Sequence, residues 1–427
     1  MGNYFHTIVI DKEKCTGCMK CMRACPTEAI RVRNRISTIL EERCVDCGQC
    51  VAVCPYAARN GLTDTISKLK ESKFKYKIAL PSPVLYSQFG KDVLPNDILN
   101  AFLHIGFDEA YDVSYMCEVH NHLIKEYVAR QADNAITISS MCPVVVRLIQ
   151  FKYPQLVSLL FPMETSRSIS AMKLKTERSK QLGLPPQEIQ TVYITPCPAK
   201  MISINQPQCK QISYLDAAIS MADIYGSLLH ALSGHKKAER SFHRSGGVGI
   251  SRGMIGGEIR GLDPGTSLAV DGMINVMGVL EDIEDGRIKG IKFVELRACT
   301  GGCIGGSFTV ENQYLARNNI VRLIRKFGKE SRAQKEDIQY GIEEGNLYCD
   351  VSLKGQSIDV LDSEPQTALK KLKERDALLQ NLPGIDCGVC GAPTCKSFSE
   401  DVVQGRARPE DCHFHKGTCT REPTTSS

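Results

Sequence analysis

Twenty cysteines stand among 427 residues, and their spacing limits what this chain can fold into. Residues 15–26 read Cys-Thr-Gly-Cys-Met-Lys-Cys-Met-Arg-Ala-Cys-Pro. Residues 44–55 read Cys-Val-Asp-Cys-Gly-Gln-Cys-Val-Ala-Val-Cys-Pro. Both are C-x2-C-x2-C-x3-C-P, the one internal repeat of the chain. Three closely spaced thiolates wrap one face of an iron–sulfur cubane, and the fourth, held by the turn at proline, reaches the other cluster. The pattern assigns Cys15, Cys18, Cys21 and Cys54 to one [4Fe–4S] cluster, and Cys44, Cys47, Cys50 and Cys25 to a second. Zinc also favours thiolates, but it needs two cysteine pairs per site, not a duplicated run of four. This part reads as an electron relay.

A second cysteine-dense stretch closes the chain. Residues 382–395 read Leu-Pro-Gly-Ile-Asp-Cys-Gly-Val-Cys-Gly-Ala-Pro-Thr-Cys, and Cys412 follows. Glycines beside the cysteines let backbone N–H groups approach cluster sulfurs. Cys387, Cys390, Cys395 and Cys412 are the expected ligands, with a zinc ribbon as the alternative and Cys419 close to the fourth position. The string resembles the small [4Fe–4S] module of corrinoid iron–sulfur proteins and membrane-bound electron-transport complexes.

The alternative use of so many cysteines is a disulfide framework, but disulfide-dense secreted domains are short and follow a signal peptide. Residues 1–14 carry no apolar core of that kind, and no run of 18 apolar residues is present. The expectation is a cytoplasmic protein without a membrane span, with reduced thiols in an anaerobic setting. Cys117, Cys209 and Cys349 are then buried as small apolar residues. A net charge of +5 without a dense basic tract excludes nucleic acid as a partner.

The length predicts two to four domains. Composition divides the chain into a two-cluster ferredoxin-like domain (1–64), an alternating strand and helix domain (75–330), a charged helical connector (331–380), a C-terminal [4Fe–4S] domain (381–420) and a disordered tail (421–427). Within the second domain, Ile78-Ala79-Leu80 and Val192-Tyr193-Ile194 read as strands. Residues 216–232 read as a helix, from apolar residues at helical spacing. Residues 366–380 read as another.

Three strings in that domain carry chemistry: Ser139-Ser140-Met141-Cys142-Pro143, Thr195-Pro196-Cys197-Pro198-Ala199-Lys200, and Glu295-Leu296-Arg297-Ala298-Cys299-Thr300-Gly301-Gly302-Cys303-Ile304-Gly305-Gly306. Four thiolates from three loops make one more four-cysteine metal site, and the glycines leave room for a bulky ligand. Together the strings resemble the three signatures of the [FeFe]-hydrogenase catalytic domain, over roughly residues 75–320. The resemblance implies an α/β two-lobed catalytic domain, flanked by the ferredoxin-like and C-terminal cluster domains. It also implies an H-cluster, in which a [4Fe–4S] cubane is joined by one cysteine to a two-iron centre carrying CO, cyanide and an azadithiolate. That makes four [4Fe–4S] clusters in all. By the resemblance Cys142, Cys197, Cys299 and Cys303 hold the cubane, and Cys303 is the bridging thiolate. Lys200 is a charge-assisted donor to one cyanide, and Pro81-Ser82 face the other. The implied partners are H2 and protons, a redox partner such as ferredoxin or a signalling protein, and maturation proteins; an oligomer is compatible.

The chain departs from the family pattern in ways that bear on protons. Met141 stands where the family places a proton-passing cysteine, and a thioether carries no proton. Thr195 and Arg297 stand where the family has methionines, and Arg297 puts a positive charge near the cluster. The relay glutamates are expected just after Cys117, where the sequence has Leu123, Ile124 and Tyr127. Substitute relay candidates are Cys117, Glu118, His120, His122 and Glu126, each of which is more commonly a packing or surface residue. The departures resemble the family's divergent branch read as sensory and lacking a PAS domain. The expected function is interconversion of H2 with protons and electrons. The alternative is a sensory or electron-transfer protein that does not turn over.

Overall fold

A strand covered on both faces by other elements is apolar at consecutive positions, as Ile78-Ala79-Leu80 and Val192-Tyr193-Ile194 are. In the computed structural model they lie in Tyr76–Pro81 and Ile189–Thr195, which pair in parallel with Ala79 opposite Val192. Glu109–Ala110 and Ala217–Ser220 complete this parallel sheet on its two sides. A second parallel sheet has the order Ser267–Asp271, Phe293–Arg297, Thr137–Ile138. The structure describes residues 5–71, 73–234, 240–343, 347–351, 353–355 and 361–414. These fall into two compact units. Both sheets belong to the larger one, which also takes in residues 5–7 and 45–48.

Residues 216–232 are not one helix. Ala217–Ser220 is a strand, and the helix begins at Met221 and runs to Gly234. Helical spacing of apolar residues lost to tertiary context here: Ala218 and Ile219 are fully buried and pair with Tyr193 and Ile194. The helix expected over 366–380 is present as Pro365–Asn381.

The loop at residues 45–48 is pinned by charge. Asp46 accepts from the Thr7 backbone N–H at 2.7 Å and hydroxyl at 2.8 Å, lies 3.0 Å from His6, and pairs with the buried Arg147. Burial alone would raise the Asp46 carboxyl, but His6 and Arg147 outweigh it and hold it below its ordinary value. Beside it, Gly48 leaves no room for a side chain, since a Cβ there would fall 2.5 Å from Ser307 Oγ and 3.4 Å from a Pro198 ring carbon.

The smaller unit brings the two cysteine-dense ends of the chain together. Ile30–Arg33 and Ile36–Ile39 form an antiparallel hairpin whose turn residues, Asn34 and Arg35, both have positive φ, the geometry that matches strand twist. Ile8–Ile10 pairs with Arg59–Gly61. Against the hairpin sits the C-terminal module, with Leu382, Ala392, Phe398 and Cys412 as its own core. Val32 N–H donates to the Gly391 carbonyl at 2.9 Å. Arg31 meets Asp401 through Nε at 2.5 Å, Arg33 meets it at 2.7 Å, and Arg43 meets Glu400 at 2.6 Å. Glu28 accepts from the hydroxyls of Thr394 and Ser397.

One expectation about cysteines is corrected. Cys209 and Cys349 are joined in a disulfide, 140 residues apart in sequence, and are not apolar filler. Nothing in their local sequence marks them. The backbone brings them together: Cys349 N–H donates to the Pro162 carbonyl at 3.0 Å, and Asp350 N–H to the Cys209 carbonyl at 2.8 Å. Cys117 is buried as a free thiol. Cys419 and the tail 421–427 lie outside the described residues. Among the described residues, no helix is long and apolar enough to cross a membrane.

Candidate metal centre

Every site string of the larger unit leaves the carboxyl end of a parallel strand, where open α/β sheets bind ligands. Pro81-Ser82 ends Tyr76–Pro81, Cys142 follows Thr137–Ile138, Cys197 follows Ile189–Thr195, and Cys299 follows Phe293–Arg297. The second and third strings approach as closely as backbone allows. A Cβ on Gly306 would lie 2.3 Å from the Pro196 carbonyl oxygen. Gly302, at φ +89°, would put one 2.5 Å from the Ile255 nitrogen. The Thr195 hydroxyl shapes the second string, donating to the Cys197 carbonyl at 2.7 Å and accepting from its N–H at 3.2 Å.

The four thiols converge. Burial pushes the Cys299 thiol well up, and the charges of Cys197, Cys142 and Cys303 push it further. Lys200 is buried, with Nζ 3.5 Å from Cys197 Sγ and 3.8 Å from Cys303 Sγ. Burial works against the Lys200 charge, but those two thiolates outweigh it and raise its pKa. Burial likewise works against the Cys303 thiolate, yet Lys200 and Arg297 outweigh it, and this thiol titrates below its ordinary value. Four converging thiols, Cys197 buried and the other three partly so, that repel one another once deprotonated fit a polynuclear iron group, whose positive charge keeps them deprotonated together. Cys142, Cys197, Cys299 and Cys303 would hold it. Ser82 is buried beside Tyr193, its oxygen accepting from the Val84 N–H at 3.4 Å.

Arg297 is less free than the sequence suggests. Its guanidinium is clamped by Glu295 at 3.1 Å and Glu258 at 3.0 Å, all three side chains nearly fully buried. Glu258 also accepts from Ser139 Oγ at 2.7 Å and faces Arg252 at 3.4 Å. The positive charge is therefore largely neutralised within this network. Sequence reasoning missed Glu258, Arg252 and the pairing of Glu295. The one available signal was Glu295 and Arg297 inside an otherwise apolar strand, since buried charges require partners.

The relay candidates lie along the helix Val113–Ala129 but not at the thiols. Cys117 donates to Ser166 Oγ at 3.3 Å, and burial pushes its thiol up. Glu118 accepts from the N–H groups of Gly246 (2.7 Å), Gly249 (3.0 Å) and Arg332 (2.6 Å). That is also what the glycine-rich run does: it packs so closely that a Cβ on Gly249 would fall 2.0 Å from the Ser114 carbonyl oxygen. Burial and Arg252 lower the His120 pKa to about 3, so its ring is neutral, 3.1 Å from the Glu164 carbonyl. His122 pairs with Ser331 at 3.2 Å, and Glu126 pairs with Arg130 at 3.0 Å. Leu123 and Ile124 are core residues and the Tyr127 ring meets Phe161 edge-on. Met141 is buried one residue before Cys142, and its carbonyl accepts from Arg167 at 3.4 Å.

In the smaller unit, Cys15, Cys18, Cys21 and Cys54 line one small cavity, as the C-x2-C-x2-C-x3-C spacing requires. Cys387, Cys390, Cys395 and Cys412 line another. Burial pushes the Cys390 thiol up, with Cys412 and Cys387 adding to it. For the other set, burial pushes Cys50 up to about 12, with Cys25 among the thiolates adding to the shift.

The family described as iron only hydrogenase large subunit, C-terminal domain, matches residues 75–249 and 227–307, more than half of the 427. The chain belongs to the iron-only hydrogenase large-subunit family. A 4Fe–4S dicluster domain matches residues 7–55, and an Fe–S cluster family matches 382–414. The chain is 27% identical over 363 residues to the periplasmic [Fe] hydrogenase large subunit of Nitratidesulfovibrio vulgaris, covering 70% of this chain and 86% of that one. It is 25% identical over 263 residues to iron hydrogenase 1 of Clostridium pasteurianum, 46% of whose length it spans. The [FeFe]-hydrogenase of Chlamydomonas reinhardtii shares the fold, with a TM-score of 0.52 at 15% identity over 68% of this chain and 98% of that one. The α/β hydrogenase fold with a ferredoxin-like part and a C-terminal iron–sulfur module is thus the architecture of this protein.

Proposed function

We propose that this chain interconverts H2 with protons and electrons at an H-cluster in the larger unit, and passes the electrons through [4Fe–4S] clusters held by Cys15/18/21/54, Cys44/47/50/25 and Cys387/390/395/412. The observation that carries the reading is Lys200, a buried ammonium between two of four converging thiols. A cation in that place suits a buried, cyanide-bearing anionic group. When bound, a two-iron centre supplies the hydrogen chemistry itself. The chain's own residues supply the rest. Cys142, Cys197, Cys299 and Cys303 would ligate the H-cluster, and Lys200 and Pro81-Ser82 would contact its anionic ligands. Thr195 and the Glu258–Arg297–Glu295 clamp keep the loops in register.

The test is infrared spectroscopy of anaerobically reconstituted protein given a synthetic two-iron mimic, under H2 and then under N2. Sharp CO and cyanide bands that shift between the gases are expected. Intact clusters without such bands would refute the proposal.

A second reading, slow turnover used for sensing hydrogen or redox state, is favoured by Met141. A thioether carries no proton, and the relay candidate Glu118 is occupied by three backbone N–H groups. Met141→Cys should therefore raise H2 evolution, by about tenfold given that positioned acid–base groups contribute 10²–10⁴. An unchanged rate would place the bottleneck elsewhere.

A further inference from the structure

A cavity of about 620 Å³ lies beside the first cysteine string, and the Cys209–Cys349 disulfide forms part of its wall. Ser140, Pro143, Phe161, Glu164, Arg167 and Ser203 line it as well. Two of these lead to the metal centre. Ser140 is two residues before Cys142, and Arg167 bridges the Met141 carbonyl (3.4 Å) and Ser203 Oγ (2.8 Å). Ser203 in turn sits in Ile202–Asn205, the short helix that follows Pro198–Met201 and continues toward Cys209. Cys209 thus anchors the far end of the loop that carries Cys197 and Lys200.

The other half of the tie is residues 347–351. The Leu347 carbonyl accepts from Glu164 N–H at 2.8 Å, and Val351 N–H donates to the Cys209 carbonyl at 3.2 Å. Lys210 pairs with Asp350 at 2.8 Å. The disulfide thus ties covalently the same two segments that the last two of these bonds join. Both cysteines are partly exposed, which gives a thiol reagent a route to them. Unlike the sixteen cysteines assigned to clusters, this pair is free to exchange.

We infer that Cys209–Cys349 is a reversible redox site that takes a dithiol as co-substrate, and that its reduction loosens the cavity wall and the Cys197–Lys200 loop together. In the exchange, one thiolate of the dithiol attacks a sulfur of the disulfide. The S–S bond breaks, the other cysteine leaves as a thiolate, and the second thiol of the dithiol closes on the mixed disulfide. The protein gains two electrons and two protons, and the dithiol becomes a disulfide. Reduction thereby frees the far end of the loop that carries Cys197 and Lys200. This consequence at the centre rests on the hydrogenase reading; the exchange itself does not.

The experiment uses the full chain with its [4Fe–4S] clusters and without a two-iron centre, so that a failure of the hydrogenase reading leaves it untouched. Differential alkylation with mass spectrometry, before and after anaerobic dithiothreitol, should find Cys209 and Cys349 newly modified as a pair. Hydrogen exchange in peptides covering 160–168 and 198–210 should then quicken about tenfold, a local opening rather than global unfolding. The C209S/C349S double variant should show the fast exchange with and without dithiothreitol. Thiols already free before reduction, or a disulfide that dithiothreitol leaves intact, would overturn the redox site. Reduction that leaves exchange in both peptides unchanged would overturn the mechanical coupling. Should the variant fail to fold, reduced wild-type protein gives the same comparison.

Discussion

Replacing Cys303 with alanine is expected to abolish the CO and cyanide infrared bands of protein given the two-iron mimic, and to reduce hydrogen turnover to background. The smaller unit's clusters, at Cys15/18/21/54 and Cys387/390/395/412, should survive. Two observations single out this thiol among the four. Lys200 and Arg297 hold it below its ordinary value despite its burial, whereas burial pushes the Cys197 and Cys299 thiols up. It also sits at the glycine-rich end of its string, where Gly302 and Gly306 are excluded from carrying side chains by Ile255 and Pro196. That close packing sets the position of the sulfur to within the play of the backbone, so a neighbouring residue cannot substitute for it. Electron paramagnetic resonance provides the control. Signals from the smaller unit's clusters should match wild type, which separates loss of one bridging ligand from collapse of the fold. Infrared bands that persist in Cys303→Ala would show that another cysteine joins the two parts of the centre.

Much of this site was legible because thiolate chemistry has a local grammar. C-x2-C-x2-C-x3-C-P places ligands by chain geometry alone, and the cavity lined by Cys15, Cys18, Cys21 and Cys54 follows from it. The strands Tyr76–Pro81 and Ile189–Thr195 were legible from their consecutive apolar residues, the pattern of a strand buried on both faces. What the sequence hid depends on residues far apart in the chain. Ala217–Ser220 is a strand only because Ile189–Thr195 lies beside it. Cys209 and Cys349 bond because Pro162 and Cys209 both pair with the backbone around Cys349. The charge on Arg297 is legible, but its neutralisation is not, since Glu258 comes from another loop entirely. The relay candidates show the reverse case. Glu118 was a relay candidate for which a packing or surface role was the commoner reading, and the structure gives it three backbone donors.

Long-range ion pairing also underlies the second large effect, expected for Asp401→Ala in the smaller unit. Its side chain is fully buried, and so nearly is that of Arg31, at 3% exposure. Arg31 reaches it through Nε at 2.5 Å and the terminal nitrogen at 3.1 Å, and Arg33 adds a third contact at 2.7 Å. Removing one partner of a buried pair leaves the other desolvated and uncompensated, which costs about 3–5 kcal/mol. Asp401 joins the C-terminal module to the strand Ile30–Arg33, so the loss falls on the contact between the two cysteine-dense ends. Two further contacts depend on that docking. The Gly391 carbonyl receives Val32 N–H, and no residue with a Cβ fits at Gly391, where it would lie 2.1 Å from the Val32 oxygen. Arg23 donates to the carbonyl of Cys387, an expected cluster ligand, at 3.2 Å. Asp401→Ala should therefore speed hydrogen exchange in both Ile30–Arg33 and Cys395–Val403, and lower the iron retained per chain as the C-terminal cluster is exposed. Neutralising the exposed Asp282–Arg287 pair, by contrast, should leave both measurements unchanged, because solvent screens it. If Asp401→Ala matched that surface control, the module would be held by its apolar contacts and not by charge.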